Sequence, residues 1–357
     1  MLIWFLSISF LLLAAAGWIY AKLWKIGLSA RIFFSDKTAY EGGQIILEEI
    51  IKNHKKLPLA QVEVGFRVPK GLFFVDAENI VVSDYVYKRD IFSLRGMEMI
   101  MRRYSVRCDA RGRYPVSQVT LRTGELLHGK GYIWEPGDEM EGQKEELLVY
   151  AGYTDVSAIE HFCDNLLGTV ESRSSLYEDP FLFSGIRTYQ LTDPMNRINW
   201  KAMARSGEMM VNTYASVRDL SCMIYLDVAD KSIVKEEELV EESIRIAASL
   251  CRKMILCSQI TGLSVNTDPP AFLEPGRGRE LLSRIEYLLT DDFTARGTSD
   301  FIKLFDLPPK RQTSPVINIV ISKNLRETEF QESNIQGVFV KPVREDGKIA
   351  SHIFVRS

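Results

Sequence analysis

The hydrophobic pattern changes character twice along the chain. From Leu2 to Tyr20 no side chain is charged, and the first cation is Lys22. At about 1.5 Å per residue such a run covers roughly the 30 Å hydrocarbon core of a bilayer. Its Leu, Ile and Phe residues each favour insertion by about 0.3–0.6 kcal/mol, and Trp4, Trp18 and Tyr20 stand near its two ends. The pattern predicts a transmembrane anchor over residues 1–22, with residues 2–20 in contact with lipid. A cleaved signal peptide, cut near Ala14-Ala15-Ala16, is the rival, but no Lys or Arg precedes the run as such a leader requires. Lys22, Lys25 and Arg31 follow the run with no basic residue before it. The positive-inside tendency then predicts a single-pass cell-membrane protein with its soluble domains in the cytoplasm.

Residues 23–130 have a β texture. Gln61–Val68 alternates polar and apolar, Ser117–Thr123 does so again, and Glu41-Gly42-Gly43, Lys52-Asn53-His54, Pro69-Lys70-Gly71 and Arg111-Gly112-Arg113 punctuate them as turns. Short strands with such turns predict an antiparallel, Ig-like β-sandwich. Gln44–Ile51 fits neither the helical nor the strand period cleanly. The Gly- and acid-rich stretch that follows predicts a connector over 131–150, and residues 151–215 form a linking segment.

Beyond residue 216 the period becomes that of an α/β domain, to residue 357. Ser221–Val228 is a short apolar strand and Lys235–Ser258 a long amphipathic helix with an acidic start suited to the helix dipole. A strand over Gly262–Thr267, a helix over Gly278–Leu289 and strands at Val316–Ser322 and Gly337–Val343 complete it. Strands alternating with helices predict a parallel sheet. The fold class is therefore α+β and multidomain: anchor, sandwich, α/β domain.

Composition narrows the function. The 357 residues carry 44 basic and 47 acidic side chains, a net charge of -3, so a nucleic-acid partner is not expected. Five cysteines, Cys108, Cys163, Cys222, Cys251 and Cys257, give no paired framework and agree with a reducing compartment.

The densest chemistry runs from Arg187 to Arg205. Asp193-Pro194 has the form of a helix start, a side-chain cap followed by a residue without a spare N–H. On a helix beginning there, Arg197, Lys201 and Arg205 fall four apart and form one cationic stripe, which costs about 0.2–0.5 kcal/mol per pair. Asp193 can pair with Arg197; Lys201 and Arg205 still need anions. Carboxylates of the neighbouring domains docked on the stripe are the favoured source, an anionic ligand or acidic partner the next, and a catalytic role the least favoured. Trp200 is expected to anchor this helix in the core.

The run Tyr189-x-x-x-Asp193-x-x-x-Arg197-Ile198-x-Trp200-Lys201-x-x-Ala204-Arg205 resembles the signature Y-x-x-G-D-x-x-R-x-I-x-W-K-x-S-A-R of the bacterial domain of unknown function 58 family. Thr192 stands at the family's Gly, Met203 at its Ser and Asn196 where its Arg is expected. The resemblance implies a membrane segment, a β-sandwich, the signature, then a domain like von Willebrand factor type A. It marks Arg187, Tyr189, Asp193, Arg197, Trp200, Lys201 and Arg205 as the interaction segment. It also implies a partner, a MoxR-type AAA+ ATPase, since members are frequently encoded beside one. Type A domains often hold Mg²⁺ on an Asp-x-Ser-x-Ser loop. Here Asp227 fits the first position but Ala229 and Lys231 replace both Ser, so the metal position is degenerate and no metal site is expected.

No HExxH, paired Cys/His spacing, P-loop, Rossmann glycine pattern or G-x-S-x-G occurs. His161 and Cys163 are two apart and would point about 200° from each other on a helix. The expectation is a membrane-anchored, non-enzymatic interaction or scaffold protein without cofactor. The alternative is an enzyme or sensor binding an anionic ligand at residues 197–205.

Overall fold

The structure is a computed structural model and describes residues 2–75, 80–83, 85–123, 132–134, 146–159, 161–162, 183–214, 221–293, 297–306, 316–332, 335, 337–345 and 347–356. The chain divides into two compact units, Met1–Tyr153 with Glu286–Asp292, and Thr154–Ile285 with Phe293–Ser357.

The uncharged N-terminal run is helical: α1 spans Leu2–Leu23, 22 residues. Among the described residues no helix is long and apolar enough to cross a membrane; the side chains at positions 2, 3, 13, 14, 16 and 21 of α1 lie outside them. The last carbonyls of a helix lack intrahelical donors, and here one cation reaches the final one and two in the turn beyond it. Lys55 Nζ donates to the carbonyls of Leu23 (3.0 Å), Trp24 and Ile26 (2.9 Å). Burial lowers the Lys55 pKa. Trp24, one residue past α1, is buried in the core of the first unit.

The strands of that unit are β1 (Leu28–Phe34), β2 (Thr38–Tyr40), β3 (Gln44–Asn53), β4 (Leu59–Pro69), β5 (Leu72–Phe74), β6 (Ile80–Val82), β7 (Tyr85–Leu94), β8 (Met99–Cys108), β9 (Gly112–Pro115), β10 (Ser117–Thr123), β11 (Tyr132–Trp134) and β12 (Glu146–Tyr150). Two antiparallel sheets, β1-β3-β8-β5 and β11-β10-β4-β7-β6, contribute to one hydrophobic core with Leu47, Ile51, Val62, Val64, Phe92 and Val106 among its members. A third sheet, β2-β12-β9, includes β12. Residues 146–150, expected in the connector, are thus a strand whose Leu147 and Val149 are buried.

The core of this unit is not wholly apolar. The inward positions of β3 are Ile45, Leu47, Glu49, Ile51 and Asn53, and those of β7 are Val86, Lys88, Asp90, Phe92 and Leu94. Lys88 Nζ lies 2.7 Å from Asp90 Oδ2. Tyr104 Oη donates to Asp90 Oδ2 at 2.9 Å and lies 3.2 Å from Glu49 Oε2. Arg102 Nη1 lies 3.3 Å from Asp90 Oδ1, and its guanidinium covers the Phe92 ring at 4.0 Å. Burial, then the charge of Asp90, pushes the Glu49 carboxyl up to about 8, so this acid is mostly protonated at neutral pH. Burial also raises the Tyr104 phenol, helped by Glu49 and Asp90. Asn53 closes a turn, its Nδ2 donating to the carbonyls of Leu57 and Arg95, each at 2.9 Å.

The second unit begins with the antiparallel pair β13 (Phe183–Thr188) and β14 (Met210–Tyr214), between which lies α2 (Trp200–Ser206). Then follow β15 (Ser221–Leu226), α3 (Glu237–Leu256), β16 (Ile260–Val265), β17 (Ala271–Gly276), α4 (Arg279–Leu288, whose residues from Glu286 on are assigned to the first unit), β18 (Val316–Ile321), α5 (Glu327–Glu332), β19 (Gly337–Glu345) and β20 (Lys348–Arg356). The six-stranded sheet runs β17-β16-β15-β18-β19-β20. Its four inner strands are parallel and the two edges antiparallel. β15 is buried at every position, as a central parallel strand covered on both faces must be. α3 turns Leu239, Ile244, Ala247, Ala248, Cys251 and Ile255 inward, the face its periodicity predicts. The edges β17 and β20 carry no such signal: β17 includes Pro275 and β20 is largely exposed, as edges tolerate. At Gly337, φ +155, a Cβ would stand 1.9 Å from the Asn318 carbonyl, so the entry to β19 admits glycine alone. Overall the protein is a mixed α/β chain with antiparallel sheets.

Cys108, Cys222 and Cys251 are buried and Cys257 is exposed; Cys163 lies outside the described residues.

Candidate functional site

The segment from Arg187 to Arg205 is an excursion between β13 and β14, not one continuous helix. Asp193 caps no helix. It closes a turn, its N–H donating to the Gln190 carbonyl and its Oδ2 accepting from the Gln190 N–H, both at 2.8 Å. Arg187 clamps the same carboxylate with two bonds, Nη1 to Oδ2 at 2.6 Å and Nη2 to Oδ1 at 2.5 Å. The Arg187 bond and then the Gln190 amide hold the Asp193 carboxyl below the usual carboxylate range. Pro194 leads into a single 3-10 turn over Met195–Arg197.

The helix starts later, at Trp200. Its cap is Asn199, whose Oδ1 accepts from the Ala202 N–H at 2.9 Å while Nδ2 donates to Asn212 Oδ1 at 2.7 Å. Ile198 is buried, bridges to the buried Val211, and so anchors the excursion to β14. Gly207, φ +74, ends α2 in the left-handed conformation with its N–H on the Met203 carbonyl. Tyr189 is half-buried, and its N–H donates to the Met209 carbonyl at 2.8 Å.

Two expectations are therefore corrected. Arg197 ends the 3-10 turn, so the stripe keeps only Lys201 and Arg205, one turn apart on α2. Both are exposed, and neither has a carboxylate within ion-pair distance among the described residues. Trp200 is no core anchor: it is 66% exposed, and Ile198 takes that part. Leu191 and Met195 are 98% and 74% exposed. The excursion thus bonds to itself and to its flanking strands and turns large apolar side chains and two cations to water.

Asp227, the residue after β15 and its neighbour, lies where the strand order reverses, since β16 flanks β15 on one side and β18 on the other. In open α/β sheets this crevice at the carboxyl ends of the strands is the customary ligand position. Asp227 is buried, and Asn266 Nδ2 (2.7 Å) and the Ala229 N–H (3.1 Å) donate to its Oδ1. Ser322 Oγ (2.6 Å) and Asn324 Nδ2 (2.9 Å) donate to its Oδ2. The amide orientations are fixed by their other bonds: Asn266 Oδ1 accepts from the Val228 N–H, and Asn324 Nδ2 also donates to the Ala229 carbonyl. Asp227 thus already accepts from four donors. A hard divalent cation needs oxygen ligands, and this set offers N–H groups with Ala229 and Lys231 at the remaining loop positions, so the residues do not fit Mg²⁺.

The loop after Asp227 has its own clamp. Lys323 Nζ lies 2.5 Å from Asp230 Oδ1, 3.1 Å from Ser232 Oγ and 3.4 Å from Glu236 Oε2. Burial works to raise the Asp230 carboxyl, but the Lys323 bond, the Glu236 and Ser232 amides and the Lys323 charge outweigh it and hold the group far below the carboxylate range. Asn266, Ser322, Lys323 and Asn324 had no motif to announce them. Their one sequence signal is position: each follows the apolar run of a parallel strand.

A family model described as "Protein of unknown function DUF58" matches residues 185–337. No curated protein matches the sequence. Among solved structures the chain is similar to the CARDB domain of the PF1109 protein from Pyrococcus furiosus, at 14% identity over 35% of this chain and 93% of that one, with a TM-score of 0.21. It is also similar to a non-cellulosomal cohesin from Archaeoglobus fulgidus, at 13% identity over 37% and 96% of the two chains, TM-score 0.20. A third similarity is to beta-glucosidase from Listeria innocua, at 15% identity over 36% of this chain and 17% of that one, TM-score 0.19.

Proposed function

Residues 185–337 belong to the DUF58 family, and from that premise we propose that the protein is a membrane-anchored, non-enzymatic interaction protein that docks a partner on the excursion between β13 and β14. One observation carries the reading. Leu191, Met195 and Trp200 are exposed on a segment held rigid by the Arg187–Asp193 clamp and the Asn199–Asn212 bond. Interface hot spots favour Trp and Arg on pre-organised surfaces, because ordering costs are then already met. Lys201 and Arg205 add an attraction for an acidic partner surface. The anchor is α1, whose Trp4, Phe5, Phe10 and Leu11 are exposed, and the soluble units are placed in the cytoplasm. The six-stranded sheet unit is read as resembling von Willebrand factor type A. The partner proposed from the family resemblance is a MoxR-type AAA+ ATPase.

Co-purification from native membranes in mild detergent tests this. The wild type is expected to bring an AAA+ ATPase, and Trp200→Ala with Leu191→Ser to lose it while the thermal melt is kept. Recovery of the protein alone, or a complex indifferent to both substitutions, would sink the reading.

A further inference from the structure

We propose that the end of the first unit beside α1 is a lipid-docking surface, where cations and apolar side chains from three turns rest on the anionic headgroups of the bilayer that α1 enters. The inference rests on the reading of α1 as a membrane anchor. The four residues 24–27 join α1 to β1. Even extended they would reach at most about 14 Å, and they are folded. Trp24 is buried in the sandwich core, Tyr20 packs against that core, and Tyr20 Oη lies 3.3 Å from Thr123 Oγ1. With α1 in the bilayer, this end of the sandwich is held at the headgroups.

The surface is built from residues 22–27 at the end of α1, residues 52–58 from the end of β3 to the start of β4, and residues 95–98 between β7 and β8. Hydrogen bonds join these turns into one piece. Lys55 Nζ holds the carbonyls of Leu23, Trp24 and Ile26, and the His54 N–H donates to the Gly27 carbonyl at 2.7 Å. The Met97 N–H donates to the Lys55 carbonyl at 2.9 Å, and Asn53 Nδ2 ties the Leu57 and Arg95 carbonyls. A Cβ on Gly96 would stand 2.3 Å from the Lys56 carbonyl, so the second and third turns touch through their backbones. Docking on such a surface has little backbone left to order.

The charge of the surface is one-sided. Lys22, Lys25, Lys52, Lys55, Lys56 and Arg95 stand on it against one carboxylate, Glu98, in these three turns. Glu98 Oε2 accepts from the Arg95 N–H at 2.5 Å, and even counted in full it offsets only one of those cations. Lys55 is engaged with carbonyls, and Lys22 lies over the Trp18 ring at 4.2 Å. Lys25, Lys56 and Arg95 are exposed, with no carboxylate within ion-pair distance among the described residues. On the same turns Ile26 and Leu57 are exposed, and Met97 is 69% exposed. Met97 holds φ +60, a conformation that residues other than glycine seldom adopt, and it presents an apolar, adaptable side chain at the tip of its turn. Cations together with apolar tips match the boundary between headgroups and acyl chains. An acidic protein surface would answer the cations alone, and would have to fit beneath the unit where α1 leaves the bilayer.

The test places the full chain in lipid nanodiscs of phosphatidylcholine, alone or with about 30% phosphatidylglycerol. It reads an NBD fluorophore on Met97→Cys in a Cys163→Ser, Cys257→Ser background. Emission is expected to move about 10 nm to the blue and to rise about twofold in the anionic discs relative to the neutral ones, and to fall back in about 0.5 M salt. The same label on Lys70→Cys, in the turn at the far end of β4, is expected to report water in both discs. Lys25→Gln, Lys56→Gln and Arg95→Gln together are expected to abolish the shift with the melt unchanged, since all three side chains are exposed. Equal emission from position 97 in the two discs, indifference to the triple substitution, or an equal shift at position 70 would each overturn the proposal. So would a shift in native membranes that lipid-only discs do not reproduce, which would assign the surface to an acidic protein. Alkaline carbonate extraction of native membranes tests the anchor separately. Retention in the pellet is expected, and with it a failure at position 97 would strike the docking surface alone; release into the supernatant would sink both.

Discussion

Arg187 and Asp193 are joined by two parallel bonds of 2.6 and 2.5 Å, six residues apart on the surface of the second unit. The pair does not build a helix terminus; it shuts the turn from which the 3-10 turn and α2 set out. Leu191, Met195 and Trp200 are exposed on the segment that this pair and the Asn199–Asn212 bond tie down.

Arg187→Ala is expected to loosen this turn without unfolding the unit. Hydrogen exchange should quicken at the amides of Gln190, Asp193 and Arg197, with the global melting temperature nearly unchanged. Because the folded pKa of Asp193 is lowered, its contribution is complete above the unfolded value near 3.9 and fades as pH falls below it. Exchange at those amides in the wild type should therefore approach that of the variant only in acid.

Glu49 works in the opposite direction. Its folded pKa is raised to about 8, so the folded state binds the extra proton and stability declines as pH climbs from about 4.5 to about 8, flattening beyond. Glu49→Gln should remove most of this slope and be the more stable protein at pH 9, by about 1–3 kcal/mol. Urea titrations of both proteins at pH 5, 7 and 9 measure it; parallel curves would refute the assignment.

Asp227→Ala should be costly. It strands the donors of Asn266, Ser322 and Asn324 in the interior, at about 3 kcal/mol in sum. Denaturant unfolding should show the loss, and added Mg²⁺ should not stabilise the wild type.

Lys55→Met removes the side-chain donor to the final carbonyl of α1, Leu23, and to those of Trp24 and Ile26 in the turn after it. Fraying of Leu23–Ile26 should follow, at about 1 kcal/mol. Because Trp24 lies beside those carbonyls, its environment should change, with a red-shifted fluorescence contribution as the check.

The apolar run of α1 and the strand–helix alternation from β15 to β19 were legible in the sequence, because a helix burying one face and a strand burying both each write a period or an unbroken run into the chain. The bounds of α3 and α4 fall within a few residues of the expected ones for that reason. β3 was not legible. Its inward face includes Glu49 and Asn53, whose partners Asp90 and Tyr104 arrive from other strands and Arg95 from the loop after β7, and polar residues on the core side erase the alternation that marks a strand. The signature segment misled in a different way. Asp193-Pro194 has the local form of a helix start, but the Arg187 clamp takes the carboxylate and Asn199 caps the helix instead, so Arg197 leaves the stripe and Trp200 faces water. Likewise the sequence marked Asp227 and its two missing Ser, while the four donors that fill its oxygens come from residues up to 97 positions away. Local chemistry determines which elements form and which faces they hide; pairing between distant polar groups is decided only when the sheets bring them together, and in this protein those pairings shape the candidate sites.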